Sequence, residues 1–192
     1  MKHYLGLIVV LFGVISVSAQ SSDWQSYEPS EENPFGNINP DAAIQITDYR
    51  PMIGFCDCKN SRRGQDGTWP DTTDKVWLFE YALNGTAIQD HTWEDGIYAT
   101  SIRQFHVDSN VWVVSYSAFP GVSTKRGVWI GGKVGDDIIL EKPQKAPNGM
   151  DGISRLTFYN ISDHGFDWKG EWVNDEQGIV FPFWKIWCKK RK

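Results

Sequence analysis

The chain has 192 residues and a formal net charge of −5, with acids and bases dispersed except for Lys189-Lys190-Arg191-Lys192 at its end. A mildly acidic protein with no basic stripe lacks the electrostatic footprint of a nucleic-acid binder, and no nucleic-acid partner is expected. Ten Trp, ten Phe and seven Tyr supply apolar surface for a well-filled core, and three cysteines make a disulfide the first covalent feature to test.

Met1 to Ala19 contains Lys2, an uncharged apolar run from about Tyr4 to Val17, and Val17-Ser18-Ala19. This is the pattern of a secretory signal peptide, residues 1–19, cut after Ala19; the run is shorter than the roughly 20 apolar residues that spanning a bilayer needs. The expected product is secreted or periplasmic, without membrane insertion. Residues 20–50 form a polar N-terminal arm, and up to Asn39 they hold too few apolar residues to pack, as in a linker or a loosely held arm. Asn39-Pro40-Asp41 before Ala42-Ala43-Ile44-Gln45-Ile46 predicts a short helix, placed to act as a lid.

Residues 51–192 alternate apolar stretches with turn signals, which predicts β structure throughout. Strands are expected at Met52 to Lys59, Lys75 to Leu83, Thr86 to Trp93, Tyr98 to His106 and Val111 to Ala118. Five more follow at Arg126 to Lys133, Asp137 to Lys142, Ile153 to Ile161, Phe166 to Val173 and Val180 to Cys188. The connections carry Asn84-Gly85, Asp95-Gly96, Asp108-Ser109-Asn110, Gly135-Asp136, Asp151-Gly152, His164-Gly165 and Gln177-Gly178, turn residues that tolerate positive φ and join antiparallel neighbours. An all-β meander must pair or cover its edges. The simplest solution is an antiparallel up-and-down barrel of about 8–10 strands, with a β-sandwich as the alternative.

Met52-Ile53-Gly54, Phe79 to Gly85, Ser101-Ile102-Arg103-Gln104-Phe105 ahead of Trp112, Arg155-Leu156-Thr157-Phe158 after Asp151-Gly152, and the Trp-rich closing hairpin together resemble the calycin superfamily. Within it they are most similar to uncharacterised secreted lipocalin-like domains, over about Met52 to Arg191. Lipocalins carry Gly-x-Trp on their first strand, and here the third position of that motif is Cys56. The resemblance implies that Cys56 points into the barrel, and the strand period of two then puts Cys58 on the same face. Cys188 shares a face with Ile186 and Trp184. A Cys56–Cys58 bond would strain an extended strand, so the bridge expected is from Cys56 or Cys58 to Cys188, contributing roughly 4 to 5 kcal/mol in the chain-entropy model. No Cys-x-x-Cys spacing supports a metal site, and no metal or cofactor is expected.

The aromatics either fill the barrel or line a cavity in it. For a cavity, the candidate ligand-binding residues are Trp77, Trp112, Trp129, Trp168 and Trp172, with Arg103 and Arg155 as interior polar residues partnered by Glu80 or Glu171. The last strand is apolar on both faces, with Phe183 and Trp187 opposite Trp184 and Ile186, so the arm or a second subunit, as in a homodimer, is expected to cover the outer set. Catalytic candidates are His91, Arg103 and Glu94, with Asp90 as another possible base. No hydrolase, metalloprotease, P-loop or dinucleotide motif accompanies them. The resemblance implies a barrel that binds a small hydrophobic or amphipathic molecule. Alternatives are a barrel enzyme, such as an isomerase, cyclase or lyase, and a carbohydrate-binding module.

Overall fold

The computed structural model describes residues 25–121 and 127–192; the expected signal peptide lies outside them, as does Arg126. Ten antiparallel strands follow one another: β1 (Gly54–Arg62), β2 (Thr73–Ala82), β3 (Ala87–Glu94), β4 (Ile97–His106), β5 (Val111–Phe119), β6 (Gly127–Val134), β7 (Asp137–Pro143), β8 (Ile153–Ser162), β9 (Gly165–Asn174) and β10 (Ile179–Lys190). Each pairs with its successor and β10 pairs back onto β1, so the sheet closes into an up-and-down barrel. All ten expected strands form. Their turns place Asn84, Asp95, Gly96, Asn110, Gly135 and Gly178 at positive φ, where these residue types are tolerated.

The two ends of the barrel differ. One is plugged by a 3₁₀ helix, Ile44–Met52, whose Ile46, Tyr49 and Met52 are buried. The Tyr49 ring lies 4.9 Å from Trp112, 6.1 Å from Phe158 and 6.4 Å from Phe79, centroid to centroid. Trp112 Nε1 donates to Asp48 Oδ2 at 3.0 Å, which fixes the plug to the wall. The expected short helix is therefore present as a stopper. No side chain caps it; Asn39 Oδ1 accepts from the Asp41 N–H in the preceding turn.

The described part of the arm is held in place, contrary to its loose reading. Tyr27 N–H donates to Asn84 Oδ1 at 3.1 Å, Asn39 Nδ2 donates to the Asn84 carbonyl at 3.0 Å, and Asn39 N–H donates to the Gly85 carbonyl at 3.1 Å. Gly85 has φ +73°, and a Cβ there would lie 2.3 Å from the Asn37 carbonyl oxygen, so only glycine admits this close approach. Composition missed this because the latch is made of backbone and amide groups, not apolar ones. The arm lies beside β1 and β2, with Phe35 edge-on to Phe55 at 5.9 Å. It does not serve the outer face of β10, where Trp187 is 38 % exposed.

The closing pair β1–β10 sets Cys58 directly opposite Cys188, and these two form the disulfide. Cys56 faces Lys190 in the same register, and it stays a free, buried thiol that burial pushes up to about 11, leaving little thiolate to react. Register thus resolves the two pairings that parity alone had left open. Phe183 departs from its expected outward position. A register irregularity between Pro182 and Trp184, where β10 pairs with β9, breaks the period of two and brings Phe183 to the cavity alongside Trp184. Within the described residues no helix is long and apolar enough to cross a membrane.

Candidate functional site

Above the plug the barrel keeps a cavity of about 310 Å³ that reaches the opposite end, the mouth, where the β3–β4 turn and the β7–β8 loop lie. Its walls are mostly apolar: Trp77, Trp129, Trp168 and Trp184 with Leu140, Leu156, Phe158 and Ile186. Trp168 and Trp184 meet edge-to-face at 5.1 Å, as indole pairs prefer.

At its floor lies an ion pair. Arg103 Nη1 is 2.8 Å from Asp90 Oδ1, and Nη2 donates to Oδ2 at 3.2 Å. Asp90 also accepts from the Ser101 N–H at 2.8 Å and from Trp77 Nε1 at 2.6 Å. The guanidinium stands 5.1 to 5.6 Å from the ring centres of Tyr49, Phe79 and Phe158. Burial works against its charge, but Asp90 and Tyr49 together outweigh that and hold Arg103 protonated. Burial also pushes the Tyr49 phenol up to about 12, so it stays neutral beside the guanidinium. The pair closes its own account of charge, as a buried arginine requires.

The mouth carries a second polar cluster. Glu94 Oε1 accepts from Asn60 Nδ2 at 2.8 Å and from Thr73 Oγ1 at 3.0 Å, and Oε2 accepts from Arg62 Nη2 at 3.0 Å. Lys75 Nζ lies 3.5 Å from the same Oε2. Burial would raise the Glu94 carboxyl, but these hydrogen bonds and cations outweigh it and hold the group below the usual carboxylate range. For Lys75 the balance runs the other way: burial lowers its pKa despite Glu94. Trp184 donates Nε1 to Asn60 Oδ1 at 3.1 Å and lies under Arg62, 4.1 Å from its guanidinium carbon.

Of the candidate ligand-binding residues, Trp77, Trp129, Trp168 and Arg103 line the cavity. Trp112 does not; it is fully buried against the plug. Trp172 packs beside the β7–β8 loop, its Nε1 on the Gln144 carbonyl at 2.8 Å. Arg155 stands outside the barrel, where Glu141 and Asp175 flank it, so neither Glu80 nor Glu171 is its partner. Arg103 is interior as expected, but its partner is Asp90, one strand away, and Glu171 pairs with Lys169 at 2.9 Å.

The catalytic candidates are dispersed. His91 lies on the outer face of β3, stacked on Trp93 and 3.1 Å from Glu80, while Arg103 sits at the floor and Glu94 at the mouth. Lining residues absent from those candidates include Lys75, Trp184 and Arg62. Lys75 stands two residues before Trp77 and four before Phe79, so a lysine continuing an apolar face was the available signal. Among the described residues no group of three or more His, Cys, Asp or Glu is placed to hold a metal ion. A comparison with known protein families and with curated proteins finds no match.

Proposed function

We propose that this protein is an exported, lipocalin-like barrel that binds a small apolar or amphipathic molecule in its interior. The observation that carries the reading is the cavity of about 310 Å³, walled by indoles and aliphatic side chains with a few polar groups, stopped at one end and open at the other. Ligand sites have this size and this mixture of apolar wall and sparse polar contact. The volume suits a compact ring system. A disulfide sealing the barrel suits an oxidising compartment, in keeping with the signal-like Met1 to Ala19.

The test is native mass spectrometry of protein purified from its own host, beside the variant Leu156→Trp, which fills the cavity. A small-molecule mass retained by the unsubstituted chain and lost by the variant is the expected result. Protein that leaves its host empty, and whose tryptophan fluorescence no small aromatic compound alters, would overturn the reading.

A further inference from the structure

The mouth cluster is unbalanced, and the imbalance names the chemical class of the occupant, on the binding reading above. Lys75 reaches the cavity with a side chain only 5 % exposed. An ammonium has three donors. This one meets a single carboxylate oxygen at 3.5 Å, longer than the roughly 2.7 to 2.9 Å of a strong charged hydrogen bond, and the Trp184 ring lies 5.3 Å away. Glu94 cannot give it more, being already engaged by Asn60, Thr73 and Arg62. Lys142, on β7 across the barrel, has no carboxylate partner among the described residues; its Nζ rests 4.0 Å from the centre of the Trp129 ring. Among the described residues that line the cavity, the cations Arg62, Lys75 and Arg103 face the carboxylate Asp90, with Glu94 adjoining Arg62 and Lys75. A buried cation short of acceptors favours an anion brought by a ligand.

We propose that the occupant is a compact aromatic acid, its anionic group taken by the Lys75 ammonium and its ring held among Trp77, Trp129, Trp168 and Trp184. Arg62 and Lys142 add positive field at the mouth, and the Asp90–Arg103 floor, already paired, takes no part in the charge recognition.

Cinnamate and cinnamamide share one shape and differ in charge, so their affinities, measured by calorimetry and by tryptophan quenching, isolate the effect. Cinnamate is expected to bind at least about ten-fold more tightly, the range of one charge-assisted hydrogen bond. Lys75→Met should bring that preference to about two-fold or less, chiefly by weakening cinnamate, and its thermal midpoint should equal or exceed that of the unsubstituted chain, because a poorly satisfied ammonium is removed. Lys142→Gln, nearer solvent, should cut the preference by about three-fold. Equal affinities for acid and amide on the unsubstituted chain would overturn the inference and leave the binding reading standing. Failure of both probes, with no mass retained from the host, would overturn both. If Lys75→Met does not fold, the acid-to-amide ratio and Lys142→Gln decide.

Discussion

The stoppered end and the mouth are built from the same ten strands but hold their interior side chains by different means. At the stopper, Tyr49, Met52, Phe79, Trp112 and Phe158 are almost wholly buried and interlock as rings and aliphatic groups. At the mouth the contacts are charged and shared, with one glutamate serving two cations, an amide and a hydroxyl. Interlocked apolar packing has one low-energy arrangement and is costly to disturb, whereas shared ionic contacts can exchange one partner for another. Rigid packing is therefore concentrated at one end and exchangeable polar contact, where the proposed ligand would enter, at the other, with the Asp90–Arg103 pair between them.

The contrast breaks if the largest effect is not at the stopper. Trp112→Ala should cost about 4 kcal/mol in chemical unfolding, the range for deleting a buried indole, yet leave cinnamate affinity within about two-fold. A loss of binding as large as the loss of stability would mean that the two ends are one unit. At the floor, Asp90→Asn leaves Arg103 buried without a counter-charge and should cost about 3 kcal/mol. The smallest of the three effects belongs to the mouth, where Arg62 reaches solvent: Glu94→Gln should cost about 2 kcal/mol at neutral pH and tighten cinnamate, since Lys75 and Arg62 lose their competing anion.

The same substitution gives the contrast a pH signature. The Glu94 carboxyl is held below its ordinary value in the folded barrel, so its contribution is complete above the unfolded-state value of about 4.3 and disappears as pH falls through the folded value. Unfolding free energies of Glu94→Gln and the unsubstituted chain should differ at neutral pH and converge in acid. A gap that persists at low pH would show that the glutamate acts through packing and not charge.

The barrel was legible in the sequence because each turn advertises itself locally: Asn84-Gly85, Asp95-Gly96 and Gln177-Gly178 need no knowledge of distant residues. The site was only partly so. Period two sorts the residues of one strand into two faces, but β2 and β10 are apolar on both, so parity did not say which face was inside. It did separate His91 from its neighbours Asp90 and Thr92, and the structure places the latter two inside. Partners across strands depend on register: Asp90 lies opposite Ser101 and meets Arg103 two residues along, and no local pattern announces that pair. The Phe183 irregularity arises between strands and leaves no mark in a single strand's alternation.

The Cys58–Cys188 bond spans a separation of 130 residues and lies at the seam between the first strand and the last. A sheet rolled into a cylinder has one place where it can unroll without breaking a hairpin, and here that place is riveted. The wall between β1 and β10 is thus barred as a side door, and with the stopper in the other end the loops of the mouth are the route that the proposed binding would have to use.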